Sequence, residues 1–470
     1  MGGILDLQKY GRLNPGYLLT LLFTLVLAAC NHPGSEKHNK RIFMKEKQIS
    51  FSPKNHALDN NDNFSPNDSF LCYDTRGTVY NFDLANCQSI EKIGVFSRKE
   101  TVLYAPESVT GEQAAPGVAA VSYHPFDDKV IFIHGPLLNE VPQRGFYGIR
   151  NRSGVEVSAG GEGHITRVDM RDVAVNSPTT PGAQRGGTHR HEYTRNGRRI
   201  GFTYDDFLLP DYDRTIGYMV PHPQAPQGCT HYFAILVKPV KKGTSNAGEI
   251  EKAYGDSWVD TDGKMRAFVG LVRSENGVDY QNDLFVAEIP DSVDITTAVS
   301  GDADHYPEPP KGIIVRRLTH KGGVSRIVRG SFDGQMIAFL MNDEKGVAQV
   351  NIMNALGSDL EKKSTLHPKQ VTRFESDAAF VRWHPSDEWV FSVVNGNIVA
   401  SCAREGADFG KTVMLTNDQQ LRSQLVVSRS GEMLAYNMDV PGATETGEEK
   451  AFMQIFIMEI DSEKLNAGIQ

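Results

Sequence analysis

A chain of 470 residues with 44 glycines and 23 prolines suits one large repeat-built domain or two ordinary ones, with many turns and few long amphipathic helices. Its formal charge of -9 becomes more negative without residues 1–29, which hold Lys9 and Arg12 against Asp6. No concentrated basic surface of the kind phosphate contacts require is present, and this excludes a nucleic-acid partner.

At the N-terminus, basic Lys9 and Arg12 precede an apolar run from Tyr17 to Leu27 and then Leu27-Ala28-Ala29-Cys30. The run is short for a membrane span, and small residues before a cysteine resemble the lipobox of a bacterial lipoprotein signal peptide. That resemblance implies cleavage after residue 29 and an acylated Cys30, and Asn31 after it resembles the outer-membrane sorting pattern of enterobacteria. The expected address is the cell envelope, lipid-anchored at the outer membrane and facing the periplasm. Residues 30–45 read as a polar, flexible tether, and 46–470 as a single domain. An exported compartment permits a Cys72–Cys87 bridge, although both cysteines fall in strand-like segments where a buried free thiol is the commoner state.

Beyond the tether one pattern recurs: apolar strand, polar turn, apolar strand. The turns are Ser65-Pro66-Asn67-Asp68, His124-Pro125-Phe126-Asp127-Asp128, Asn196-Gly197, Ser331-Phe332-Asp333-Gly334, His384-Pro385-Ser386-Asp387 and Ser428-Arg429-Ser430-Gly431. His124 and His384 are read as turn residues that cap neighbouring backbone. A doubled gap between the third and fourth turns predicts one degenerate unit, with HYFAILV, MRAFVGLV and DLFVAEI as its strands.

The third copy, Gly186 to Asp206, carries the densest polar chemistry. Centred on a two-residue turn at Asn196-Gly197, its register places Tyr193 opposite Ile200, His191 opposite Phe202 and His189 opposite Tyr204. One face then holds His189, His191 and Asp206, and the other holds Arg190, Glu192 and Asp205. Histidines at i and i+2 lie about 7 Å apart at their Cα atoms, close enough to share a divalent metal or an anionic substrate. His231 also begins a strand and would converge on them if strand starts line one channel mouth. The other reading packs both imidazoles with Tyr193, Phe202 and Tyr204 between neighbouring sheets.

From Ala247 to Val259, Ile250, Ala253, Tyr254 and Trp258 recur at helical spacing, predicting one short inserted helix. Downstream, Arg317-Leu318-Thr319, Gln370-Val371-Thr372 and Met414-Leu415-Thr416 each close a unit before the next begins. A matching Lys47-Gln48-Ile49-Ser50-Phe51 opens the domain with no earlier unit to close, so it is expected to complete the last one. This is the sequence form of ring closure in an all-β propeller, of seven blades, with six the alternative. No GxSxG, GxxxxGKS, HExxH or paired CxxC occurs, so serine-hydrolase, P-loop and common zinc sites have no support.

The turn copies and Leu-Thr marks resemble the TolB-type propeller superfamily, which includes periplasmic binding propellers and oligogalacturonate lyases. More closely, the chain resembles the YidR-type family of unknown function, through VSYHP…VIFIHGP, TPGAQRGGTHRHEYTRNGRRIGFTYDD, EIEKAYGDSWV, PPKGIIVRRLT and FVRWHPSDEWVFSVVNGNI in that order. That resemblance implies a propeller fold and no particular activity. Two functions follow: a monomeric module that binds an envelope protein or glycan, or a carbohydrate-active enzyme resembling oligogalacturonate lyase, eliminating across a uronate with a metal. The lyase pattern uses histidines and a glutamine around the metal, and no glutamine here falls in a matching motif.

Overall fold

The computed structural model describes residues 44–469 apart from 60–61, 78–86, 88, 108–116 and 445. The signal-peptide reading, Cys30 and the tether up to residue 43 lie outside the described residues.

Seven antiparallel sheets follow one another along the chain, six of four strands and one of three. Each is a propeller blade, and apolar side chains from facing sheets fill the gaps between blades. The three-stranded first blade, Phe70–Asp74, Ile90–Gly94 and Glu100–Tyr104, is lined inside by a segment that bridges it at Ala57–Asp74 and Phe64–Leu71. The inner strands of blades 2 to 7 are Val118–Tyr123, Gly186–Tyr193, Ile250–Trp258, Val324–Gly330, Ala378–Trp383 and Ser423–Val427. Blade 7 packs back on blade 1 through Val426, Met433 and Ala435 against Leu58, Leu71 and Ile93.

The ring closes as the repeat marks require. Glu46–Gln48 pairs with the third strand of blade 7, Lys47 opposite Ile457. Thr319, Thr372 and Thr416 each accept a backbone N–H, of Leu284, Val350 and Ile398, while donating to the side chain one residue earlier: Asp283, Gln349 or Asn397. Ser50 does the same, accepting from Ile455 N–H at 2.8 Å and donating to Gln454 at 2.6 Å. The N-terminal strand is therefore held by the same hydroxyl lock as the outer strands of blades 4, 5 and 6. Arg422 adds a two-pronged ion pair to Glu46, at 2.6 and 2.7 Å, and a second carboxylate, Asp418, at 2.8 Å.

Two expectations are corrected here. The helix expected within 247–259 is the inner strand of blade 4, Ile250–Trp258. Two register shifts, after Ile250 and after Tyr254, insert extra residues, so an alternating strand pattern imitates helical spacing. HYFAILV is accordingly not part of that blade: His231–Ile235 is the outer strand of blade 3. The seventh turn is Asp260-Thr261-Asp262-Gly263, directly after the misread strand. Cys72 and Cys87 are buried free thiols.

A bulge recurs in every inner strand from blade 2 to blade 7, each with one residue in the left-handed region: Ala120, Arg190, Gly255, Arg326, Phe380 and Gln424, at φ between 51° and 64°. At Gly255 the need for glycine is also steric, since a Cβ there would lie 2.1 Å from the Arg326 carbonyl oxygen. The helix Ser462–Ile469 ends the described chain, burying Leu465 and Ile469 in the core of blades 6 and 7.

Candidate functional site

The bulge decides what the blade 3 hairpin can do. Tyr193 pairs with Ile200 as expected, but the register shifts between Gly201 and Thr203, and His189 comes opposite Thr203 rather than Tyr204. Arg190, at φ 57°, is the extra residue. It turns His189 to the sheet face opposite His191. The turn also differs: Thr194 N–H bonds Arg199 C=O, and of its central residues only Gly197 has positive φ, so the connection is four residues long.

The expected site residues therefore separate. His191 packs in the interface between blades 2 and 3, its Nε2 3.1 Å from Thr188 Oγ1. A Cβ on Gly154 of blade 2 would lie 2.7 Å from that nitrogen. Burial, then Arg152 and His231, push His191 down to about 3, so the imidazole is neutral. His231 stands on the outer strand of blade 3, with Nδ1 2.7 Å from its neighbour Thr230 Oγ1, and burial lowers it to about 4. Asp206 is consumed by structure: its carboxylate accepts from Arg185 Nε at 2.9 Å, Tyr204 Oη at 2.8 Å and Leu209 N–H at 2.8 Å. Asp205 pairs with Arg214 at 2.8 Å. These residues do not fit the shared metal that the lyase resemblance implies, because the bulge puts the two histidines on opposite faces of the strand and the oxygens of Asp206 are occupied. Among the described residues no other group of His, Cys, Asp and Glu is arranged to hold a metal ion. His189 alone keeps partial solvent access. Burial, followed by Arg152, Arg214 and Arg76, holds it well below its ordinary value.

Asp169 is a participant that sequence reasoning missed. It occupies, in Arg167-Val168-Asp169, the place of threonine in Arg317-Leu318-Thr319. It accepts from Gly154 N–H at 2.8 Å and Thr188 Oγ1 at 2.9 Å, linking blade 2 through Thr188 to His191, and burial pushes it up to about 6.

The polar centre that does converge lies on the axis near the turns. The backbone N–H groups that close the hairpins belong to Ser65, His124, Thr194, Val259, Ser331, His384 and Ser428, and the residue two before each is Asn63, Ser122, Glu192, Ser257, Arg329, Arg382 or Val426 in blades 1 to 7, polar in six blades and charged in three. Glu192 accepts from Ser257 at 2.8 Å, pairs with Arg266 at 3.1 Å and meets Arg329 at 3.4 Å. Burial works to raise Glu192, yet Arg266, Arg190 and Arg329 hold it below its usual value. Arg382 stands 3.8 Å from Asp62. Arg195, from the blade 3 turn, crosses to the carbonyls of Phe332 and Gly330 at 3.0 and 3.1 Å. Glu192, Arg195, Arg329 and Arg382 wall a cavity of about 80 Å³. A wider mouth of about 380 Å³ adjoins it on the turn face, lined by Pro66, Pro125, Phe126, Phe332, Arg195 and Arg429. Phe126 is 69% exposed there, and the Arg195 guanidinium lies 4.6 Å from the centre of the Phe332 ring.

Ring closure, hydroxyl-locked outer strands and axial cavity together define a closed seven-bladed β-propeller. Residues 117–231, which span the blade 3 hairpin, match a protein family of unknown function, DUF3748. The chain is 31% identical over 393 residues to the uncharacterized protein YidR of Escherichia coli K12, covering 77% of this chain and 87% of YidR, and it belongs to the YidR family. Among solved structures it is similar to the β-propeller domain of the trilobed protease from Pyrococcus furiosus, at 9% identity and TM-score 0.46, covering 85% of this chain and 96% of that one. It is similar also to TolB from Acinetobacter baumannii, at 12% identity and TM-score 0.36, covering 85% and 84%.

Proposed function

We propose that this chain is a lipid-anchored binding propeller of the cell envelope that receives a segment of an envelope protein at its axial mouth on the turn face. The observation that carries the reading is that mouth: exposed Phe126 and Phe332 with two prolines form an apolar rim above a charged floor. Apolar walls with a few fixed polar groups are what ligand-receiving concavities offer. Exposed aromatics beside arginine are the residue types that supply most binding energy at protein interfaces. The lipobox-like stretch before Cys30 supports the anchor, and the polar tether would hold the ring clear of lipid, acting as a monomer.

A photo-crosslinking side chain at position 126, compared with one at position 278 in the 73% exposed Val278 turn, tests the mouth in intact cells. The expected result is a discrete protein adduct from position 126 that Phe332→Ala abolishes, with none from position 278. Equal labelling at both positions rejects the mouth. The anchor is tested separately: Cys30→Ser should leave the precursor unprocessed and without a labelled acyl chain, and a wild type that is freely soluble would contradict it.

A further inference from the structure

A second concavity lies across the ring from the mouth. The connection between the second and third strands of blade 2, residues 135–152, emerges at the end opposite the turns and reaches blade 3. The short helix Val141–Arg144 and the loop after it form one wall. That loop is fixed from within and from behind. Asn151 Nδ2 donates to the carbonyls of Arg144, Gly145 and Phe146, at 2.6, 3.2 and 2.8 Å. The Ile149 carbonyl stands so close to Gly187 that a Cβ there would lie 2.2 Å from its oxygen, which only glycine permits. With Arg171, Val173 and Phe207, this loop bounds a pocket of about 490 Å³, within the range of small-ligand sites, roughly 300–1,000 Å³.

Its walls combine two chemistries. Phe146, Ile149 and Phe207 are 53%, 49% and 49% exposed, a cluster of water-facing apolar side chains of the kind that marks a binding surface. Arg144, Arg150 and Arg171 also line the pocket, and no acidic side chain does. The acids nearby are committed elsewhere. Glu140 pairs with Arg144 and Arg167, each at 3.1 Å, and Asp206 and Asp205 pair with Arg185 and Arg214. Asp169 accepts from Gly154 N–H and Thr188, and Asp172 from Thr180 and Ala174 N–H.

Arg150 and Arg171 form no ion pair among the described residues, and their hydrogen bonds go to backbone carbonyls. Arg150 Nη1 donates to Asp206 at 2.7 Å and Nη2 to Pro210 at 3.4 Å. Arg171 donates from Nε to Gly186 at 2.9 Å and from Nη2 to Arg150 at 3.1 Å. A carbonyl satisfies a donor and leaves the charge in place. Burial and then Arg144 lower Arg171 to about 10, and among the described residues the Tyr204 phenol, not a carboxylate, opposes them. The Arg171 guanidinium lies 4.9 Å from the centre of the Phe207 ring, so charge and apolar surface meet at one point.

We propose that this pocket binds an anion with an apolar body: a carboxylate or phosphate group against Arg171 and Arg150, and hydrocarbon against Phe146, Ile149 and Phe207. A guanidinium fork offers paired N–H donors to either oxyanion. Partial burial strengthens the attraction relative to open water, and the apolar walls favour an ion that carries hydrocarbon over a bare one.

The test uses the full chain in detergent, titrated by calorimetry and followed by thermal unfolding, with benzoate and, separately, phenyl phosphate. Benzyl alcohol and inorganic phosphate at matched ionic strength are the controls. The wild type is expected to show a saturable heat and a saturable rise in melting temperature with at least one aromatic anion at millimolar concentration, and at least tenfold weaker binding of both controls. A response to benzoate alone assigns a carboxylate, one to phenyl phosphate alone a phosphate, and one to both a site that takes either. Arg171→Met should weaken binding at least tenfold, and Arg171→Lys less. Phe146→Ala changes an exposed side chain, so it should leave melting of the unliganded protein unchanged while weakening binding at least threefold, which keeps the test decisive if Arg171→Met does not fold. No saturable response to either aromatic anion, an equal response to benzyl alcohol, or undiminished binding in Phe146→Ala or in a folded Arg171→Met overturns the proposal.

Discussion

Two buried arginine systems in this ring differ in how their charge is met. Arg422, at the closure of blade 7, has a fully buried side chain and faces two carboxylates, Glu46 on the N-terminal strand and Asp418. It also donates to the carbonyls of Gly396 and Gln420, and those hydrogen bonds with Asp418 and Glu46 raise its pKa against the desolvation that lowers it. Arg190, Arg329 and Arg382, on the axis, crowd one another: burial and that repulsion lower Arg329 and Arg382, while Glu192 and Asp62 pull the other way. Arg422, just before the inner strand of blade 7, ties it to the N-terminal strand, whereas the axial arginines bring like charges together around a cavity, which offsets part of what their acidic partners contribute. The cavity of about 430 Å³ at the other end of the inner strands makes the same point, since its one arginine, Arg422, is already spent on closure.

The largest effect should come from removing the closure. A chain beginning at residue 54 loses the strand Glu46–Gln48, the Ser50 lock and Glu46, one of the two acids that Arg422 faces, and it exposes an edge of blade 7. It is expected to lose its cooperative thermal transition or to aggregate. Unfolding at the wild-type temperature would show that closure does not carry the ring.

A third kind of buried group sharpens the contrast, because it can give up its charge. His231 and His191 sit at about 4 and 3 in the folded chain, against about 6.5 when unfolded. Between those values the unfolded chain binds more protons, so stability is full above pH 6.5 and falls as pH drops toward 4. Each histidine accounts for at most about 3 kcal/mol of that acid loss. His231→Gln should flatten the stability profile between pH 6.5 and 4 in chemical denaturation, and an unchanged acid limb would count against a neutral buried imidazole. A smaller effect of opposite sign is expected at Asp169. Its folded value of about 6 lies above the unfolded one near 3.9, so its contribution is present below the unfolded value and lost as pH rises through 6. Asp169→Asn should therefore gain about 1 kcal/mol relative to wild type between pH 5 and 7.5; equal stability differences at the two pH values would contradict it.

The ring was legible because its marks are chemical. Turns of Ser, Pro, Asp and Gly recur around the ring and the hydroxyl after an apolar residue does one job in blades 4 to 7, so Ile49-Ser50 could be matched with Leu318-Thr319 across the whole chain. The His124 reading also holds, its Nδ1 accepting from Phe126 and Asp127 N–H. The site was not legible in the same way. One left-handed residue per inner strand flips every side chain beyond it, separating His189 from His191 and disguising Ile250–Trp258 as a helix. A bulge leaves no composition of its own: the residues that form it range from Ala120 to Phe380. The axial charges did carry a signal, since Glu192, Arg329 and Arg382 each stand two residues before the residue that closes the hairpin, Thr194, Ser331 or His384. It emerges only when copies are aligned on their turns rather than weighed for metal ligands.

The most direct test of the division between the two arginine systems is the melting temperature of Arg422→Met and Arg382→Met, measured side by side. Breaking the closure pair should cost about 3 kcal/mol and lower melting by several degrees, while Arg382→Met should melt at or above wild type. Equal lowering by both variants would make the axial arginines structural and contradict the account.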